Sequence, residues 1–389
     1  MTIKEVTSKT DIREFLLLPV RLYAENPKWI RPLNQDLEKV FDPKLNKTFR
    51  HGECIRWIVR NANHETVGRV AAFVNQKTVN KGNDQPTGGI GFFECVNDQE
   101  VAFLLFDQSK AWLEERGMEA MDGPVNFGPR DRWWGLLIEG FDREPNYQCN
   151  YNFPYYKDLF EAYGFQVYFY QLTFGRKVMG PLTDRLAEKA ELVAKDPNYS
   201  FRHVDKIDVK KLASDIRYIY NKAWAKRGET PELNESQSIQ LVKQMKPVMD
   251  KKLLWFGYYK DEPVIFFLSL PEVNQIFKHV NGNFNWFGKL KFVWHQWRGT
   301  ARKAFGVLFG IIPEHHGKGL DGGIIMAMRK LMQEEYLRYD DYEMNWIGDF
   351  NPKMIRIAEQ INTEVVKRHA TYRYLFDRSK PFKRYPILN

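Results

Sequence analysis

The sequence predicts an α/β protein built as two similar units in tandem. Three observations carry this. Short strand patterns alternate with amphipathic helical patterns along the whole chain. The order of those elements in the first half returns in the second. And 389 residues are enough for two domains, each with its own core. The expected boundaries are 1–176 for the first unit, 177–198 for a linker and 199–389 for the second unit.

Residues 57–59 and 67–74 read as two strands around a polar turn at 61–65, the pattern of a hairpin. A third short strand follows at 89–94. Across 101–116, Val101, Leu104, Leu105, Ala111 and Trp112 recur at helical spacing, and Gly117 is the expected stop. A strand near Ala120, a loop rich in Gly, Pro and Arg at 123–132, a helix at 154–163 and a strand at 165–174 finish the first half. Pro181 and Pro197 then punctuate a linker helix and turn.

The second half starts with helices at 209–224 and 236–249. Strands at 253–259 and 264–270 flank a turn at 260–263. An aromatic and basic helix, 287–302, interleaves Phe292, Trp294 and Trp297 with Lys289, Lys291 and Arg298; it is expected to pack its tryptophans on the neighbouring sheet and solvate its basic face, the alternative being a helix that lies on an anionic membrane or nucleic acid. After it come a strand at 305–312, a helix at 322–339, a strand at 342–347, a helix at 351–360 and a last strand at 364–376.

Composition narrows the function classes. With 43% hydrophobic and 28% charged residues the chain is globular in type, not disordered. No apolar run approaches the roughly 20 residues that cross a bilayer, so no membrane span is expected. The opening residues predict no secretory signal. Cys54, Cys95 and Cys149 are too far apart for a zinc ribbon and odd in number, which fits a reducing cytoplasm and no metal. The net charge of +9 is uneven: the first 176 residues carry 22 basic and 24 acidic side chains, the rest 36 and 25. An anionic ligand therefore suits the second half; nucleic acid is not expected, and the oligomeric state stays open.

The richest stretch for chemistry is 305–327. A strand stops at Pro313, and a loop with Gly317, Gly319, Gly322 and Gly323 leads into an apolar-faced helix. Glycines admit close approach of an anion, and free N–H groups at a helix start point at it, so this is a candidate phosphate or pyrophosphate cradle. A Walker loop fails, because Ile312 stands at its first glycine and Gly319 at its Ser or Thr. Gly317-x-Gly319-x-x-Gly322 does satisfy a dinucleotide fingerprint, which keeps an NAD(P)-dependent oxidoreductase as one alternative.

The run from the strand through Pro313 to His316-Gly317-Lys318-Gly319-Leu320-Asp321 resembles the acyl-CoA loop of the GNAT (Gcn5-related N-acetyltransferase) superfamily. Residues 349–362, DFNPKMIRIAEQIN, resemble that superfamily's Asn-initiated helix. In the first half, LFEAYGF at 159–165 resembles the ending of the same helix. The resemblance implies two tandem acyl-CoA N-acyltransferase-like units, each a mixed central sheet flanked by helices. It also implies acetyl-CoA or another acyl-CoA as cosubstrate and a small-molecule or peptide amine as acceptor. Ile311, Ile312, Pro313, His316, Gly317, Lys318, Gly319, Leu320, Asp321, Gly322 and Asn351 are then the expected cofactor-binding residues, with Asp321 turned away or capping the helix.

Three departures from the family pattern matter. Ala358 and Phe160 occupy the positions where a tyrosine often protonates the leaving thiolate. The first unit has Cys95-Val96-Asn97-Asp98-Gln99-Glu100 where a cradle belongs, so it is expected to be a degenerate unit, scaffold or acceptor-binding in role. The chemistry then needs other groups. Glu343, on a strand face with Asn345, Ile347 and Asp349, is the candidate base, and Tyr372 the candidate acid. A catalytically silent acyl-CoA binding or sensing protein is the other alternative. The loop from Gly123 through Arg130, Arg132, Trp133 and Trp134 is expected to bind ligand or join the units.

Overall fold

At the start of the chain, Ser8 accepts a hydrogen bond from the Asp11 N–H while the Asp11 carboxylate accepts from the Ser8 N–H and hydroxyl. This reciprocal cap satisfies donors that a helix start otherwise leaves open, and it begins a helix the apolar spacing alone did not reveal. A computed structural model describes residues 1–224 and 231–388, the side chain of Asn345 excepted.

In chain order the first unit holds β1 (Thr2–Glu5), α1 (Lys9–Leu22), α2 (Asn34–Phe41), β2 (Gly52–Arg60), β3 (Thr66–Asn75) and β4 (Thr87–Cys95). It continues with α3 (Gln99–Glu114), β5 (Ala120–Gly123), β6 (Leu136–Glu139), α4 (Tyr155–Tyr163) and β7 (Gln166–Lys177). The linker forms α5 (Asp184–Ala194). The second unit holds β8 (Tyr199–His203), α6 (Val209–Ala223), α7 (Glu235–Met245), β9 (Leu254–Tyr259), β10 (Glu262–Pro271), α8 (Asn274–Phe277) and α9 (Trp286–Trp297). After these come β11 (Lys303–Ile311), α10 (Leu320–Glu334), β12 (Asp341–Gly348), α11 (Pro352–Gln360) and β13 (Glu364–Leu375).

The strands form one sheet, ordered β1-β2-β3-β4-β5-β13-β7-β12-β11-β10-β9-β8, with β6 beside β13. The two expected sheets are therefore continuous, and the join is an exchange. The last strand of the chain, β13, pairs with β5 of the first unit, and the first unit's last strand, β7, pairs with β12 of the second. β13 and β7 pair with each other across the middle. Each unit completes its sheet with a strand of the other.

Among the described residues only β4–β5 and β11–β12 are parallel neighbours; the other pairs are antiparallel. A dinucleotide-binding fold is built on a mostly parallel sheet, so this topology does not fit the fingerprint reading behind the oxidoreductase alternative.

One apolar core lies around the second unit's sheet, with Ile216, Phe256, Phe266, Ile324 and Met332 at its centre. Another lies between the first unit's sheet and α3 and α4, and it includes Tyr372 and Ala370 of β13. α9 departs from expectation: only Gly288 and Phe292 are buried, and its tryptophans face outward.

Candidate functional site

Each unit contains a pair of parallel strands that come apart. Among the described residues β11 and β12 pair from Lys303–Asp341 to Gly306–Met344; β4 and β5 pair from Thr87–Ala120 to Gly89–Asp122. Each fourth strand also carries an extra residue against its antiparallel neighbour. Val307 is the extra residue in β11. In β4, Phe92 takes φ +53 where Val70 alone faces Phe92 and Phe93. Such bulges twist the strand away from its partner.

The two openings differ in what fills them. In the first unit the chain after β5 turns back into the gap: the Val125 N–H donates to the Ile90 carbonyl at 2.7 Å. A Cβ at Gly91 would lie 1.9 Å from the Val125 carbonyl, so only glycine lets that segment sit so close. Every residue of β4 is buried. In the second unit no such plug exists among the described residues. Val307 is exposed, Leu308, Phe309 and Ile311 are half-buried, and among the described residues the β11 edge facing β12 has no strand partner from Val307 onward. Unpaired backbone donors in that cleft can receive a carbonyl oxygen.

The loop beyond β11 follows from its residues. Ile312 is buried and its N–H donates to the Val264 carbonyl; Pro313 then starts a single 3-10 turn. His316 Nε2 lies 3.0 Å from the Ile311 carbonyl, so the imidazole folds back on the strand end. Gly317 and Gly319 both have positive φ, +74 and +81. The N–H groups of Gly317, Lys318 and Gly319 donate to no described acceptor, and Lys318 is exposed beside Tyr199. A Cβ at Gly317 would meet nothing within 4 Å.

The other three glycines do different work. A Cβ at Gly319 would lie 2.2 Å from the Lys189 carbonyl, one at Gly322 2.6 Å from the Lys189 Cβ, and one at Gly323 2.4 Å from the Phe201 ring. They let α5 cross the start of α10 at close range. Lys189 on α5 also pairs with Asp321 and reaches Gln360 Oε1 at 2.6 Å. Asp321 is thus neutralised from the linker helix and does not cap α10. Leu320 is buried in the second unit's core. Asn351 caps α11 by accepting from the Met354 N–H. The open mouth is Gly317 and Lys318, with the glycines behind them committed to packing. Lys189 was missed in the sequence because its two partners lie on helices more than 130 residues away.

Glu343 and Tyr372 do not meet this mouth. Both Glu343 oxygens are taken, Oε1 by Lys303 Nζ and Oε2 by Lys367 Nζ, each at 2.8 Å. Burial raises its pKa, but the two ammonium groups outweigh that and hold it at about 2. Such a carboxylate is a poor acceptor for a substrate proton. Tyr372, carried by the strand exchange into the first unit, packs against Phe160 and donates to Glu161 Oε1 at 3.0 Å. Burial and Glu161 push its hydroxyl pKa up. Asp349 receives Arg384 at 2.6 Å and the Tyr170 N–H at 3.1 Å. The Asn345 side chain lies outside the described residues. Ala358 is fully buried against Leu172, Phe174 and Ile347.

In the first unit, α3 is capped by its own Asp98, which accepts from the Glu100 and Val101 N–H groups. That helix start has no free donors to spare for an anion on those positions. Beside the first bulge, Glu94 is buried and accepts from Tyr23 and Tyr156 hydroxyls at 2.7 and 2.8 Å. The loop expected to bind ligand or join the units lies against the first unit: Trp133 packs on Phe92, and Arg130 lies over Trp134.

No known family profile matches the chain. The bacterial ceramide synthase of Caulobacter vibrioides is 25% identical over 96% of this chain and 97% of that protein. Protein YghO of Escherichia coli is 25% identical over 95% of this chain and 94% of its own length. Among solved structures, a tandem GNAT protein from the clavulanic acid biosynthesis pathway superposes with a TM-score of 0.53 at 10% identity, covering 97% of this chain and 99% of that one. That likeness spans both halves and shows the fold: this chain is a GNAT-fold protein of the tandem, two-unit kind.

Proposed function

We propose that the protein is an acyl-CoA-dependent N-acyltransferase in which the second unit binds the acyl-CoA and the first completes its sheet. The carrying observation is the contrast between the two openings: Val125 fills the first, while the β11–β12 cleft is open and leads to the exposed Gly317–Lys318 mouth. The free N–H groups of Gly317, Lys318 and Gly319 suit a pyrophosphate, and Lys318 adds a cation. The unpaired edge of β11 would polarise the thioester carbonyl. With alanine at position 358 and Glu343 held by two lysines, water would take the ammonium proton and protonate the leaving thiolate.

The acyl group is read as longer than acetyl. A largely apolar cavity of about 60 Å³ lies beside α10, lined by Phe267, Ala304, Tyr342, Met328 and Met332, with Arg176 and Arg329 also on its wall. Ala304 and Tyr342 pair only two residues before the strands part. A ceramide is the amide of a long-chain amino alcohol, so the ceramide synthase relative makes such an amine the first acceptor to try. Cys54, Cys95 and Cys149 form no disulfide among the described residues, which agrees with a reducing cytoplasm.

The test is release of free CoA thiol from acetyl-, octanoyl- and palmitoyl-CoA with long-chain amino alcohols, polyamines and peptides as acceptors. Amine-dependent release favouring the longer acyl groups is expected. Tight CoA binding without turnover on any acceptor would replace the enzyme with the acyl-CoA sensor.

A further inference from the structure

Between β10 and β11 the second unit inserts α8 and α9, where the first unit joins β3 and β4 by an eleven-residue loop without a helix. The insertion is firmly seated. Phe292 packs with Leu33, Phe277 and Val280, and the Asn34 N–H donates to the Gly282 carbonyl at 2.9 Å. Lys278 pairs with Glu144 at 3.0 Å, and Gln296 donates to the Pro247 carbonyl at 2.8 Å. A Cβ at Gly288 would lie 2.2 Å from the Asn283 carbonyl, so the helix meets its own base there at backbone distance.

The opposite face is apolar and uncovered. Trp286, Phe287, Leu290, Val293, Trp294 and Trp297 are all exposed, Trp286 by 62% and Trp297 by 82%. At 100° per residue these six fall on an arc of about 120°, with Gly288 and Phe292 on the far side. Lys291 and Arg298 flank one margin of the arc and Lys289 the other. Lys289 and Lys291 make no ion pair among the described residues, and Arg298 lies over the Trp294 ring at 4.7 Å. From Val273 to Pro313 the sequence contains six Lys or Arg and no Asp or Glu.

We infer that α9 is a docking surface for the face of an anionic lipid bilayer. An apolar arc rich in tryptophan, bordered on both sides by cations, matches the interface between acyl chains and anionic headgroups. Charge argues against a second copy of the chain as the occupant. A two-fold contact through α9 would bring Lys289, Lys291 and Arg298 against their own counterparts with no acid on the segment to offset them. The helix lies in the interface and does not cross it, since no described helix is long and apolar enough to span a membrane. This inference stands on α9 alone and holds whichever amine or acyl group the cleft accepts.

The experiment is co-sedimentation of the full chain with vesicles, either equal parts of phosphatidylcholine and phosphatidylglycerol or phosphatidylcholine alone. Wild type should sediment with the mixed vesicles and lose about tenfold in partitioning on the neutral ones or in high salt. The Leu290→Glu/Trp297→Glu and Lys289→Glu/Lys291→Glu variants should lose at least as much while melting at the wild-type temperature, because all four side chains are exposed. Equal partitioning of wild type and variants would overturn the inference. So would absence of vesicle binding together with a dimer that Trp297→Glu converts to a monomer.

Discussion

Lys367 Nζ on β13 lies 2.8 Å from Glu343 Oε2 on β12, and both side chains are 3% exposed. β7 runs between those strands, so the ion pair spans the exchanged strand and ties the second unit's sheet to its own displaced end. Lys303 holds the other oxygen, and Asn146 Oδ1 accepts from Lys367 at 3.0 Å. Burial lowers the Lys367 pKa although Glu343 opposes it, as expected where two ammonium groups share one carboxylate.

Glu343→Gln should therefore destabilise the fold by about 3–5 kcal/mol, since it takes from Lys303 and the buried Lys367 the carboxylate that receives both, leaving only the more distant charge of Glu272. The wild type should also weaken in acid. The Glu343 pKa falls from an ordinary 4.5 to about 2 on folding, so its stabilisation is whole above 4.5 and is lost as pH drops toward 2. Thermal melts across that range check both, and an unchanged melting temperature in Glu343→Gln would refute the pairing.

Cutting the chain near Lys195 should not release two halves. β5 and β7 need β13, and β12 needs β7. Fragments from limited proteolysis are expected to co-elute in gel filtration and to part only in denaturant; halves that separate as stable monomers would contradict the exchange.

Two glycine-loop variants should behave differently. Lys318→Glu, at an exposed position, is expected to weaken CoA binding about tenfold with no change in melting temperature. Gly319→Ala should cost about 1–3 kcal/mol, because its Cβ would meet the Lys189 carbonyl at 2.2 Å. Calorimetric CoA titration beside thermal melts separates binding from folding.

Tyr372→Phe should leave acyl transfer unchanged and cost about 1 kcal/mol of stability through the lost bond to Glu161. A large fall in turnover with an unchanged melting temperature would restore Tyr372 as the acid.

Much of the architecture was legible because period and punctuation are local signals. The hairpin of β2 and β3, the α10 start after Gly319 and the α11 start at Asn351 all lie close to where sequence puts them. β1, α1 and α2 were not foreseen: β1 and α2 are short, and the start of α1 is marked by the Ser8–Asp11 cap, which apolar periodicity does not register. The strand exchange left no mark: the alternation along β13 is satisfied equally by β5 or β12 as neighbour. The loop glycines misled in part, since close helix crossing and close anion approach demand the same missing Cβ. α9 misled most, because an apolar stripe at helical spacing reads as buried whether it faces a core or open water.

The exchange also sets a timetable for the nascent chain. Arg373 and Asp122, which bind each other across β13 and β5 at 2.6 Å, are 251 residues apart. At about 5–20 residues per second, a ribosome leaves the β5 edge without its neighbour for about 13–50 s. Through that interval the first unit carries a naked strand edge of the sort that templates aggregation. The protein's yield in a cell should therefore depend on what shields that edge during synthesis, and on how fast the last twelve-residue strand arrives.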